Sequence, residues 1–488
     1  MQARTSRGEH SQVRYSSRRP EHSEHDRRAG DTEGPSAAAR IVAARARMSV
    51  RRKGFRIAAL GALGLLALTA CSGGREDLSV GPGKGWPSAF HDSRNSATSP
   101  VSGSRHLTLG WSRPVGGPVM SATTVGSEGQ LFLTTRTGND CTGNPGITGS
   151  VFSFQMPTGR KRFCNVLGPD AIATTSAVDS ASNVYLGDNG GVNSFTQVGQ
   201  PRWRTPVAGV PVSVQFTGDG RVLTVSQLGQ VDVLDRQTGD RIAATFQVLG
   251  EPDYMKLPDL PRPPDGQGID DCAFGWPHCP VANVSAVDQA SGRFYLTVWR
   301  PGSATASLVA LRYADKTIRE DWSADLLTDG SATSPTLSAD GKTVYVGDNA
   351  GRLLAVDAAD GHRKWAQPLG FSPMGAISLS GGLLIPGGDD GHLVALRDHG
   401  DSVDIAWERK DLQLRGRPVQ TAGDTGYVVA AIGSGLNLVT FDTRTGATVA
   451  SAVLPDAQGT TVGTAIGAEG EVVVTTRIGE VYAFKPEK

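Results

Sequence analysis

Short apolar runs of strand length recur in pairs along most of the chain, each pair cut by a turn rich in Gly, Asp and Asn and followed by a second turn and a more polar stretch. Residues 344 to 365, VYVGDNAGRLLAVDAADGHRKW, show the unit: two runs rich in β-formers, GDNAG between them, AADG after them and Trp365 at the end. Apolar character that is continuous rather than alternating predicts strands covered on both faces. GDNAG supplies residues that tolerate positive φ, so the two runs are expected to form a tight hairpin. A unit this small cannot bury its own faces and needs siblings.

Self-comparison finds them. Related segments stand at 131, 184, 221, 294, 383, 427 and 472, and the small residue before the second apolar run falls at Gly149, Gly191, Gly229, Ser307, Gly351, Gly391, Gly435 and Gly479. The intervals are 42, 38, 78, 44, 40, 44 and 44 residues. A period near 40 made only of strands and turns is the signature of a propeller blade. Upstream of each pair lies a further strand such as SATSPTLSADG at 331, whose small and hydroxyl residues suit a crowded axis; downstream, an outer strand often ends in Trp, as at Trp203, Trp322, Trp365 and Trp407. The predicted fold is all-β, an eight-bladed β-propeller of four-stranded antiparallel blades over residues 107 to 488. The last copy stops after its third strand, and residues 107 to 114, LTLGWSRP, form an orphan outer strand carrying Trp111. These residues are expected to complete the last blade and remove its exposed edge.

The 78-residue interval departs from the period by about half a blade. It contains residues 250 to 280, GEPDYMKLPDLPRPPDGQGIDDCAFGWPHCP, with seven prolines and five aspartates. The insertion joins the outer strand of one blade to the inner strand of the next, so it is expected on one face, capping or flanking the central channel. Tyr254, Met255, Phe274 and Trp276 are its candidate partner-binding residues.

The first seventy residues change the picture of where the protein works. Residues 1 to 47 show no hydrophobic period and are expected to be disordered. From Met48 a basic segment, MSVRRKGFR, precedes an apolar stretch from Ile57 to Ala70 that ends at Cys71, the pattern of a signal peptide. Leu68-Thr69-Ala70-Cys71 resembles the bacterial lipobox, which implies lipid attachment at Cys71 and a mature chain beginning there. Translation is then expected to start at Met48. Residues 71 to 106 read as a linker and N-terminal extension.

Charge and cysteines fit an exported protein. Residues 1 to 70 hold 14 Lys and Arg against 6 Asp and Glu, leaving 34 against 42 from Cys71 onward, an acidic balance that counts against nucleic acid as a partner. Four further cysteines make an even number; closeness in sequence favours Cys141 with Cys164 and Cys272 with Cys279, each bridge contributing about 2 to 3.5 kcal/mol. A zinc site using His278 beside Cys279 is the competing reading. The Asp-rich turns lack the spacing of a calcium loop and read as hairpin turns, while His362, His392 and His399 read as surface positions.

WPSAFHDSRNSATSP at 86 to 100, LGWSRPVGGPVMSATTVGSEGQLFL after it and the repeated G-x-L-x-A-L/V-D-x-x-x-G-x-x-x-W together resemble the PQQ-like (quinoprotein-type) β-propeller family, over roughly residues 85 to 488. That group includes the barrel-assembly lipoprotein BamB and the propellers of quinoprotein alcohol dehydrogenases. The resemblance implies a fold more than a function. Its dehydrogenases carry adjacent cysteines over the quinone; no Cys-Cys dipeptide occurs here, and no GxSxG nucleophile motif either. The expected function is therefore a non-catalytic, lipid-anchored, extracytoplasmic scaffold, a monomer without cofactor or metal that binds protein partners in the cell envelope. A PQQ- and calcium-dependent dehydrogenase is the alternative, as is an enzyme acting on envelope polymers.

Overall fold

Paired strands of the predicted kind account for nearly all of the secondary structure in the computed structural model, which describes residues 85 to 487 except 137–140, 142–147, 170–175, 253, 255 and 257–267. All of them belong to the unit Gly73–Lys488. The signal-peptide segment and Cys71 lie outside the described residues.

Among the described residues the strands make six antiparallel sheets of four and one nine-stranded sheet, which divides into two further sets of four where Val403–Leu414 pairs with Thr425–Ile432; we number the eight sets as sheets in chain order. The quoted unit is the fifth: Thr336–Leu337, Thr343–Gly347, Arg352–Asp357 and Arg363–Pro368 follow one another from the innermost strand outward. GDNAG turns between its second and third strands, with Gly351 at φ +81°. In the eighth, Thr461–Ile466, Val472–Thr476 and Glu480–Pro486 are joined by Leu107–Pro114, which pairs antiparallel from Leu107 opposite Pro486 to Pro114 opposite Glu480. The N-terminal strand thus completes the last sheet, as its orphan status predicted.

Each sheet is apolar on both faces, and the core lies in the seams between neighbours rather than in one central mass. Phe132 and Val151 of the first sheet pack with Val184 and Leu186 of the second. Tyr185 and Val192 of the second meet Phe216 and Leu234 of the third, and the pattern continues seam by seam. The last cluster unites the seventh, eighth and first sheets through Tyr427, Val474 and Phe152, so the first and eighth sheets pack against each other. Full burial of each such side chain contributes about 1.5 to 3 kcal/mol.

The axis is lined by small hydroxyl residues, because eight strands converging on one line leave little room for side chains. Thr124 Oγ1 meets Ser176 Oγ at 2.6 Å, Ser213 Oγ meets Ser285 Oγ at 2.8 Å and Thr123 Oγ1 meets Thr475 Oγ1 at 2.7 Å, each pair bridging inner elements of neighbouring sheets.

Residues 86 to 105, within the stretch read as linker and extension, are packed along the inner strands. Trp86 is buried and bridges Val125 of the first sheet in both directions, N to O at 2.7 and 2.8 Å. Carbonyls of Pro87, Ser93, Arg94 and Ser96 then accept the amides of Val178, Val287, Leu337 and Leu379, in the second, fourth, fifth and sixth sheets. Asn95, at φ +57°, donates from Nδ2 to the carbonyls of Val284 and Pro335 at 3.0 and 2.9 Å and accepts Gln215 Nε2 of the third sheet on Oδ1 at 3.1 Å. Thr98–Ser102 runs parallel to Val419–Ala422 of the seventh. The segment is a strap that bonds to seven sheets and then becomes the outer strand of the eighth.

Candidate functional site

Antiparallel succession puts the second-to-third hairpins and the sheet-to-sheet connections at one end of the inner strands, and the strap at the other. The insertion is such a connection, running from Phe246–Gln247 in the third sheet to Val281–Asp288 in the fourth, so it sits on the hairpin face as expected. Besides residues 250–252, 254 and 256, its described part runs from Gly268 through a 3-10 turn, Ile269–Ala273, and the loop to Pro280. Cys272 and Cys279 are bridged, with Cα atoms 5.0 Å apart, and Cys141 and Cys164 are bridged at 5.5 Å. His278 stands against Asp271 at 2.8 Å, with its ring exposed.

Two anchors hold the insertion over the axis. Asn349 Nδ2, in the hairpin of the fifth sheet, donates to the carbonyl of Phe274 at 2.8 Å. Arg136, at the hairpin of the first sheet, pairs with Asp270. Gly275 is fixed by close approach: at φ +63°, a Cβ there would lie 1.8 Å from the Ser331 carbonyl oxygen. Phe274 and Trp276 stack with ring centroids 4.5 Å apart, and Trp276 remains 47% exposed. Tyr254 is half-buried, and Met255 lies outside the described residues.

Beneath the turn lies an axial cavity of about 120 Å³. Ile269, Asp270, Cys272 and Ala273 form its roof, Phe90 of the strap lies at its other end, and residues from the first, third, fourth, fifth, sixth, seventh and eighth sheets or their connections form its wall. Arg136, Arg417 and Arg477 reach it. Arg417 Nη1 donates to the Thr461 carbonyl at 2.7 Å, and its stem packs where a Cβ on Gly375 would be, 2.8 Å from Nε. Burial pushes the Arg417 guanidinium below its ordinary range, Asp389 opposes that shift and Arg477 adds to it. Arg477 Nη2 lies 3.5 Å from Asp389 Oδ2, and its buried Nε finds no partner among the described residues.

The other candidates in the sequence have structural work. Asp188 and Asp348, from GDNGG and GDNAG, are buried carboxylates paired with Arg204 and Arg352. His392 departs from the surface position expected of it: it begins a third strand, His392–Asp398, with its side chain only 18% exposed, its ring against Phe371 and 2.7 Å from Glu408. Sequence reasoning missed the axial arginines, which come from turns of different copies and share no motif.

Repeated four-stranded sheets meeting at apolar seams, with outer tryptophans and a capped axis, define a quinoprotein-type β-propeller. Residues 281–488 match the family model described as outer membrane protein assembly factor BamB. Protein Rv3035 of Mycobacterium tuberculosis (strain ATCC 25618 / H37Rv) is 35% identical over 425 residues, covering 85% of this chain and 99% of that protein. The chain belongs to the PQQ-like, BamB-like β-propeller family. Among solved structures, BamB from Moraxella catarrhalis shares the fold at a TM-score of 0.51 and 16% identity, covering 78% of this chain and all (100%) of that one. A europium-containing methanol dehydrogenase does so at 0.55 and 13%, covering 82% and 98%. The quinohemoprotein alcohol dehydrogenase of Comamonas testosteroni gives 0.55 and 14%, covering 84% and 82%.

The dehydrogenase neighbours raise the question of PQQ. The axial cavity, at about 120 Å³, is smaller than the roughly 150 Å³ void that holds a single benzene ring; three fused rings with their carboxylates do not fit it. No tryptophan lines the cavity among the described residues, and the four described cysteines are taken up in two disulfides between residues distant in sequence. The residues present do not fit PQQ.

Proposed function

We propose that this protein is a non-catalytic scaffold of the cell envelope, held at a membrane by lipid on Cys71, that binds protein partners through its hairpin face. The observation that carries the reading is the Phe274 and Trp276 stack: an exposed aromatic pair, pinned by a disulfide, by Asn349 and by the Gly275 approach, on the only connection that breaks the repeat. Aromatic residues held rigid in a polar surround are the usual anchors of protein interfaces, since little side-chain entropy is lost on binding. Tyr254 is a further candidate contact residue in this reading. Membership of the BamB-like family supports an envelope role, and the misfit of PQQ weighs against the dehydrogenase alternative.

Crosslinking in intact cells, followed by mass spectrometry of what co-purifies, tests this. Replacing both aromatics, F274A with W276A, is expected to lower recovery of specific partners about tenfold or more, as for loss of an interface hot spot, with stability nearly unchanged because Trp276 is half exposed. Unchanged partner recovery from a folded double variant would refute the assignment.

A further inference from the structure

We propose that the axial cavity is a binding site for a short-chain carboxylate, recognised by Arg417 and Arg477. The inference is independent of the scaffold reading, which concerns the outer surface of the insertion.

Charge is the first argument. Two guanidiniums, Arg417 and Arg477, reach one corner of the cavity, and one carboxylate stands with them, Asp389 near Arg477. The site is left one positive charge in excess among the described residues. A guanidinium keeps its proton at any physiological pH, so this charge cannot be shed by titration and must be met by an anion or by water. Burial disfavours the charged Arg417, with Arg477 adding to the effect, as expected where counter-charge is short.

Donor geometry is the second. Arg417 spends one N–H on the Thr461 carbonyl and makes no other hydrogen bond among the described residues, and Arg477 has a buried Nε without a partner. The planar donor fork of arginine matches a carboxylate edge to edge.

Size and lining give the rest of the ligand. The wall carries Val212, Ile269, Ala332 and Val462 beside Ser121, Asn283 and Ser334. The four apolar side chains suit a short hydrocarbon tail, and Asn283 already spends its amide on Thr297 and the Ser331 carbonyl. The volume of about 120 Å³ is about four fifths of the benzene-sized void and admits about five non-hydrogen atoms by comparison with it. Acetate and propionate fall within it, and butyrate, with about six, stands at its limit.

Titrating the purified full chain with acetate, propionate, butyrate, butyramide and inorganic phosphate, followed by ligand-observed NMR and calorimetry, tests the assignment. Saturable binding of at least one of the three acids is expected, with butyramide, which lacks the charge, at least about tenfold weaker. Arg417→Gln and Arg477→Gln should each weaken the acid about tenfold or more, while Arg444→Gln, on an exposed turn, leaves it unchanged. No saturable binding of any acid, equal binding of butyramide, or tighter binding of phosphate would each overturn the proposal. Should an axial variant fail to fold, the wild-type comparison of butyrate with butyramide decides alone.

Discussion

At the seams a single tryptophan and a single glycine do the joining. Trp322, on the outer strand of the fourth sheet, donates Nε1–H to the Ala358 carbonyl at 3.1 Å and lies flat against Gly361 in the outer turn of the fifth. The same pair recurs as Trp111 with Gly159, Trp203 with Gly239 and Trp407 with Gly446, the indole in each case donating to the carbonyl three residues before the glycine, at 2.6, 3.0 and 2.8 Å. Phe163 replaces tryptophan against Gly199, and Trp365 turns to Asp398 Oδ1 instead. Only glycine serves at position 361, where φ is +81° and a Cβ would lie 2.7 Å from the Trp322 ring. Gly361→Ala is expected to cost about 1 to 3 kcal/mol from the left-handed backbone alone, with the ring clash added. Gly400→Ala shares the positive φ, +91°, but a Cβ there meets nothing within 4 Å. Chemical denaturation of the two variants separates the terms: a larger loss at Gly361 is expected, and equal losses would show that the indole contact carries no weight.

Strands and turns were largely legible because their causes are local, whereas the strap was not. Continuous apolar runs, hairpin turns, the outer tryptophans and the orphan strand around Trp111 each signal their place within a few residues. WPSAFHDSRNSATSP offers no such period, since its bonds run from its own backbone carbonyls to the amides of inner strands up to hundreds of residues away, as from Arg94 to Leu337. Small residues there look like a linker in sequence and are what lets the chain pass close to the axis. The cavity was hidden for a similar reason: Arg417 and Arg477 come from turns sixty residues apart and meet only when the seventh and eighth sheets pack together. Asn95 is the strap's most connected residue, and Asn95→Ala takes the side-chain donor from the buried carbonyls of Val284 and Pro335, while Gln215 Nε2 keeps its bond to the Ser285 carbonyl. Leaving such groups without partners is expected to lower stability by about 3 kcal/mol. Amide exchange at Leu337 and Leu379, whose N–H groups bond to the strap, should rise together in this variant. Exchange that stays at wild-type rates in both would mean that the strap is held by its other contacts.

For the molecule as a whole, the strap fixes the face on which the chain before it enters the fold. Gly85 lies beside Val125 and Gly126, at the end of the first sheet's inner strand opposite the hairpin face. If lipid is carried on Cys71, the thirteen residues from 72 to 84 span at most about 45 Å, and they join the fold on the strap face. The insertion with Trp276 and the roof of the axial cavity then point away from the bilayer, toward partners. One acyl chain would hold the protein only marginally, at about 0.8 kcal/mol per buried methylene, whereas the two or three of a lipoprotein anchor it stably. Cys71→Ser is therefore expected to move the protein from the membrane to the soluble fraction. Orientation is read on vesicles carrying the lipidated chain: a fluorophore placed by Ser402→Cys, in an exposed strap-face turn, should be quenched by spin-labelled lipid more strongly than one placed by Ser303→Cys, in an exposed hairpin of the fourth sheet. Stronger quenching at 303 would reverse the orientation, equal quenching would mean that the tether imposes none, and a Cys71→Ser chain that stays on the membrane would remove the anchor from the account.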